Sequence, residues 1–181
     1  MVFEMKKDMK EMLSSELISV TGGLIAGFML ASATNQLELI PGILILLPGF
    51  LEMRGNISGA LSARLSAGMF LGKLKPKFEN SRILKSNILA CFAQVLIVSF
   101  VLGIVSFLSV DIFFGISNMK IVYIAIVAGI LSNLIEIPLT TITTFWLFRH
   151  GHDPNNIMGP YVTTTGDLVS IVSLLIAIVI I

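Results

Sequence analysis

The last apolar segment of the chain carries a carboxylate deep inside it: Asp167, in the run Asp153-Pro-Asn-Asn-Ile-Met-Gly-Pro-Tyr-Val-Thr-Thr-Thr-Gly-Asp167-Leu-Val-Ser. It lies about ten residues into that segment, which at about 1.5 Å per residue is about 15 Å, near the middle of a ~30 Å hydrocarbon slab. Insertion there costs roughly 2.5–3.5 kcal/mol, and a chain that keeps such a residue commonly lines an ion or substrate path with it. Helical spacing gathers Asn156, Pro160, Thr163, Thr164, Asp167 and Ser170 on the same face. Pro160 has no N–H, which frees the carbonyl of Asn156. The stripe thus offers a carboxylate, hydroxyls, an amide and a carbonyl. These hard oxygen donors suit Mg2+ or Ca2+ better than a soft metal. The competing reading is that Asp167 only hydrogen-bonds threonines in a packed interface, a task asparagine would perform at lower cost.

A second polar constellation lies in residues 48–64, Pro48-Gly-Phe-Leu-Glu52-Met-Arg54-Gly55-Asn56-Ile-Ser58-Gly59-Ala-Leu-Ser62-Ala63-Arg64. Gly55, Gly59, Ala63 and Ala67 recur every four residues, a stripe that lets helix backbones approach closely, with Ser58, Ser62 and Ser66 beside it. Glu52 and Arg54 cannot face lipid unpaired, so they either line a pore or close ion pairs with other spans. The amide of Asn56 could contact a hydrated ion without a competing charge. A third face, Gly129, Ser132, Asn133, Glu136, Thr140 and Thr144, carries another intramembrane carboxylate, Glu136, which serves the path or balances Arg54 or Arg64. Gly23, Gly27 and Ala31 read as helix packing, and Gln94 as an interhelical hydrogen bond. His150-Gly-His152-Asp153 reads as a solvated basic turn rather than a metal site, since no third strong ligand is near in sequence. No nucleophile or phosphate-loop motif accompanies these residues, which argues against an enzyme.

The elements that must position this chemistry are membrane helices. Of 181 residues, 55% are hydrophobic and only 13% charged, about half the charge of a soluble domain, and mean hydropathy is +0.95. Apolar runs give five spans, at about 14–35, 39–72, 86–110, 120–148 and 156–180. Asp153-Pro154 reads as the N-cap and first residue of the last helix. Pro41 and Pro48-Gly49 break or tilt the long second span. Residues 1–13 form an amphipathic cytoplasmic lead-in, with Val2, Met5, Met9 and Met12 on one face, resting at the headgroups or acting as a gate element. Glu4, Asp8 and Glu11 among the lysines leave no cleavable signal pattern, so the first run stays as a span. The lone Cys91 allows neither a disulfide framework nor a thiolate metal site within one chain.

Basic residues set the sidedness. With the N-terminus cytoplasmic, that side carries nine (Lys6, Lys7, Lys10, Lys73, Lys75, Lys77, Arg82, Lys85, Arg149) against Lys120 alone outside, which leaves the C-terminus external. The expectation is a multi-pass protein of the cell membrane, in contact with lipid and with no nucleic-acid partner.

Arg54-Gly55-Asn56 with Ala63-Arg64-Leu65-Ser66, and Asp153-Pro-Asn-Asn with Gly159-Pro160 and Thr163 to Asp167-Leu168, resemble the membrane domain of MgtE magnesium transporters and the related eukaryotic solute carriers. The first stretch is closest to the eukaryotic branch, and the resemblance covers essentially the whole chain. It implies five transmembrane helices per protomer over residues 14–181 and a two-fold homodimer with its pore at or near the interface. It also implies that Asp167 carries the ion, bordered by Asn56 and Asn156. The soluble regulatory domains of the bacterial members have no counterpart here, so gating by them is not implied. Arg54 stands where the bacterial motif has glycine, so the pore lining of that branch does not carry over in detail.

Physical reading and resemblance converge on divalent cation transport, with Mg2+ the expected ion. Mg2+ dehydrates reluctantly, so two copies of Asp167 across a symmetry axis would hold it through its waters, aided by Thr163, Thr164 and backbone carbonyls. Asn133, Ser170, Glu52, Arg54 and Glu136 are further pore candidates. The alternative is a non-transporting membrane scaffold or assembly subunit whose polar residues only join helices.

Overall fold

A computed structural model describes residues 2–38, 40–79 and 81–181, the side chains of residues 2–4 excepted. The side chain of Val2 on the expected lead-in face, and Leu39 at the expected start of the second span, therefore lie outside what is described. The chain is all-helical among the described residues, with α1 (Val2–Ser32), α2 (Thr34–Leu37), α3 (Ile43–Phe70), α4 (Arg82–Phe114), α5 (Lys120–Arg149) and α6 (Pro154–Ile180). Met5–Ser32 of α1, together with α4, α5 and α6, are long and apolar enough to cross a membrane. At 28 residues α3 has the length, about 42 Å. Glu52, Arg54, Asn56 and Arg64 interrupt its apolar run.

Two boundaries differ from the sequence reading, each for a local reason. The lead-in and the first span are one continuous helix, since nothing between Val2 and Ser32 stops α1. The second span begins at Ile43, because Gly42 at φ +89° turns the chain and caps the helix. A side chain at Gly42 would also press on Val110 and Ile121. Pro48 sits inside α3 without ending it, and Pro160 does the same in α6. Asp153 caps α6 as expected, accepting from Asn155 N at 2.8 Å ahead of Pro154.

Helices α3, α4, α5 and α6 form the bundle, with Phe50, Leu61, Leu65, Val95, Ile124, Ala125 and Leu174 fully buried between them. At Gly103 the backbones of α4 and α5 come close enough that a Cβ would lie 2.9 Å from Val122 Cα. Helix α1 packs along α6 at the edge of the bundle, its lipid-type residues Leu17, Ile18, Leu24 and Phe28 exposed.

Basic residues gather at one end. There Lys7 Nζ donates to Gly151 O at 2.7 Å, Arg149 Nε donates to Pro76 O, and Phe70 stacks edge-on against Phe148. At the other end Lys120 Nζ donates to Ile181 O at 2.9 Å.

Candidate functional site

A buried ion pair lies at mid-height of the bundle. Arg54, near the middle of α3, is 1% exposed, and Glu136 of α5 is fully buried. Arg54 Nη2 stands 3.5 Å from Glu136 Oε1, and Nη1 donates to Ser170 Oγ of α6 at 2.5 Å. The open choice for Glu136 is thereby resolved toward Arg54. Arg64 instead turns to the Cys91 sulfur at 3.8 Å. Hydroxyls of Thr140 and Thr165 flank the Glu136 carboxylate. The polar face read on α5 is buried as a block, Gly129, Ser132, Asn133, Glu136, Thr140 and Thr144 all pointing inward. Asn133 Nδ2 donates to Gly129 O at 3.0 Å, and Thr144 Oγ1 meets Ser62 Oγ at 3.0 Å. Arg54, Glu136, Asn133 and Ser170 thus form an internal cluster. Several of its atoms, including Arg54 Nε and both Glu136 oxygens, make no hydrogen bond.

Asp167 lies outside that cluster. It sits at the midpoint of α6, half-buried, one turn before Ser170 and close enough to Arg54 for their charges to attract. Among the described residues it has neither a salt bridge within 4 Å nor a hydrogen-bonded side chain. Asn155, Gly159 and Thr163 continue its outward-facing stripe, all exposed. Thr163 satisfies its own hydroxyl on Gly159 O at 3.0 Å.

The rest of the predicted stripe is taken by α1. Asn156 Nδ2 lies 3.2 Å from both Asp8 Oδ1 and Glu11 Oε2, and the Asn156 carbonyl accepts from Ser15 Oγ at 3.2 Å. Thr164 Oγ1 bonds Ser19 Oγ at 2.9 Å, and a Cβ on Gly22 would collide with the Thr164 methyl. The carbonyl freed by Pro160 therefore belongs to a helix–helix seam. The methionine face read on α1 is not the face that forms the seam: Met5, Met9 and Met12 are exposed. The signal was there, in Asp8, Glu11, Ser15, Ser19 and Gly22 at steps of three and four. The same seam shifts the small-residue face of α1 by one: Gly22 and Ala26 pack, while Gly23 and Gly27 have nothing against them. His152 joins it too, with Nδ1 2.8 Å from Glu11 Oε1, so the turn is not simply solvated. Among the described residues no cluster of three His, Cys, Asp or Glu could hold a metal.

On α3, Asn56 and Glu52 are both exposed, and Asn56 Nδ2 donates to Glu52 Oε1 at 3.1 Å, so the amide has a charged companion. Gln94 is exposed across a cleft from Asn56 rather than bonded between helices. Gly55 and Gly59 face outward, and a Cβ at either would meet no atom within 4 Å.

A helical bundle that seals an ion pair inside itself while leaving a mid-span carboxylate on its flank has the construction of an ion-transporting membrane protein. The family is MgtE, the divalent cation transporters: its sequence model matches residues 47–177, and the chain belongs to it. No curated protein and no solved structure matches the chain. The match starts inside α3, so it is narrower than the whole-chain resemblance expected from the motifs and leaves α1 and α2 outside. Divalent cation transport across a membrane is accordingly the activity of this fold.

Proposed function

We propose that the chain carries Mg2+ across the cell membrane as a two-fold homodimer, with a hydrated ion held between two copies of Asp167. The observation that carries this reading is the mid-helix carboxylate of Asp167, left outside the protomer's ion pair and facing outward. Lipid is a poor neighbour for it, and a second copy supplies both cover and a second carboxylate. Two carboxylates suit Mg2+ with its waters retained, because octahedral oxygen coordination at close range would need more ligands than the stripe offers. Thr163 lines the path beside Asp167, and Glu52 with Asn56 borders it from α3. Asn156 and Thr164 support its cytoplasmic half from the α1 seam. The outward Gly55, Gly59, Ala63 and Ala67 stripe makes α3 a fifth span and a contact between protomers. A non-transporting scaffold is disfavoured by family membership. Uptake by proteoliposomes over a panel of Mg2+, Mn2+, Co2+ and Ca2+, with and without Na+ and pH gradients, tests the reading. Mg2+ uptake is expected, and its absence in a dimeric preparation overturns it.

The clustering of basic residues at one end supports the expected orientation, with residues 71–79 and the turn before α6 facing the cytoplasm. On a Cys91-free background, a cysteine replacing Lys75 should resist impermeant maleimide in intact cells. One replacing Ser117, between α4 and α5, should react. The opposite pattern inverts the topology.

A further inference from the structure

We propose that Arg54 sets the cation selectivity of the pathway by cancelling Glu136, so that of the three mid-bundle charges only that of Asp167 is presented uncancelled to the passing ion. This inference rests on the Asp167 dimer reading above. Three ionisable groups share the mid-level of the bundle: Arg54 from α3, Glu136 from α5 and Asp167 from α6. Their formal charges sum to one negative charge per protomer and two across the dimer, to which the exposed Glu52 bordering the path adds its own.

Packing alone gives no reason for the pair. A buried ion pair replaced by apolar residues of similar volume is often neutral or stabilising. Here the pair is kept and its geometry is specified. Ser170 Oγ fixes one arm of the guanidinium at 2.5 Å while the other faces Glu136 at 3.5 Å. Gly166 keeps α6 clear of it, since a Cβ there would lie 3.1 Å from Arg54 Nη2. Ser170 and Asp167 are a turn apart on one face, so the guanidinium is anchored beside the ion-binding carboxylate without occupying it. Both Glu136 oxygens and Arg54 Nε lack hydrogen bonds, so charge rather than a satisfied network joins the pair. In a low-dielectric interior that charge acts on Asp167 from close by. Arg54 is a positioning residue: it shapes the field at the site and touches no ion.

The field makes a prediction that a packing role does not. In Glu136→Gln, Arg54 loses its partner and turns to Asp167, standing where the cation should be. In Arg54→Met, the Glu136 carboxylate is uncancelled, and the added charge attracts a divalent ion about twice as strongly as a monovalent one. The double variant Arg54→Met/Glu136→Gln restores the original net charge. Mg2+ uptake and Mg2+-over-Na+ selectivity are measured in proteoliposomes, normalised to dimer recovered by size exclusion. Glu136→Gln is expected to lower uptake by about 100-fold and Arg54→Met to raise Mg2+-over-Na+ selectivity by about tenfold without silencing uptake. The double variant is expected to return both to within about threefold of the original.

If the pair is only structural, the single variants lose folded dimer while uptake and selectivity per dimer stay unchanged, and the proposal is overturned. Should Arg54→Met fail to fold, Glu136→Gln against the double variant decides: a double variant as silent as Glu136→Gln overturns it. Asp167→Asn, run alongside, separates the two levels. Normal conduction by Asp167→Asn removes the site reading and this inference with it. A silent Asp167→Asn beside normally conducting and selective pair variants removes the role of Arg54 alone.

Discussion

Asp167→Asn is expected to lower divalent uptake into liposomes by about 100-fold or more at equal protein, with dimer recovery unchanged. Asparagine keeps the shape and an acceptor oxygen and removes only the charge. At an effective dielectric near 20, a carboxylate about 5 Å from a divalent ion contributes about 6 kcal/mol of attraction, and each ~1.4 kcal/mol is tenfold in rate or affinity. Even with half of that screened by the ion's waters, losing both copies in a dimer exceeds the hundredfold expected. If Asp167 served only packing, the sign would reverse. An amide is cheaper to bury than a carboxylate, so the variant would be neutral or more heat-stable in detergent with uptake intact. Dye-reported Mg2+ uptake together with a melting curve distinguishes the two, and intact uptake would remove Asp167 from the mechanism.

Gly59→Leu is expected to abolish the dimer and with it the flux, while the protomer still folds. Within the protomer a side chain at Gly59 meets nothing within 4 Å, so α3 itself does not resist the change. Leucine is moreover the better helix former by about 1 kcal/mol, and facing lipid it would be neutral or favourable. Only a second helix lying close against the stripe turns the substitution into a clash. Size exclusion with light scattering, paired with uptake, reads both consequences. A Gly59→Leu protein that remains dimeric and conducts places the interface elsewhere than α3.

What was legible in the sequence was whatever depends on single residues or one helix's own periodicity. Asp153-Pro154 announced the start of α6, and the inward face of α5 from Gly129 to Thr144 followed from spacing alone. The pairing of Glu136 with Arg54 rather than Arg64 was not legible, because it depends on how α3 is rotated against α5. The division of the α6 stripe was also hidden. Asn156 and Thr164 share a face with Asp167 on paper, and only the path of α1 decides that they are covered while Thr163 and Asp167 stay open. The N-terminal boundary of α3 lies four residues later than the expected start at residue 39. The turn is made at Gly42, whose backbone angle a side chain would rarely adopt.

The seam between α1 and α6 joins two helices far apart in the chain. Its hydrogen bonds span 141 to 148 residues, from Ser15 to Asn156 and from Asp8 to Asn156. At ribosomal rates of about 5–20 residues per second, α1 waits roughly ten to thirty seconds before its partner emerges. During that interval Glu11, Ser15 and Ser19 have no α6 groups to bond, so the polar half of α1 is held near the headgroups, where water satisfies it. Docking of α1 therefore follows synthesis of α3, α4, α5 and α6. A chain cut before α6 leaves the polar edge of α1 without its hydrogen-bond partners.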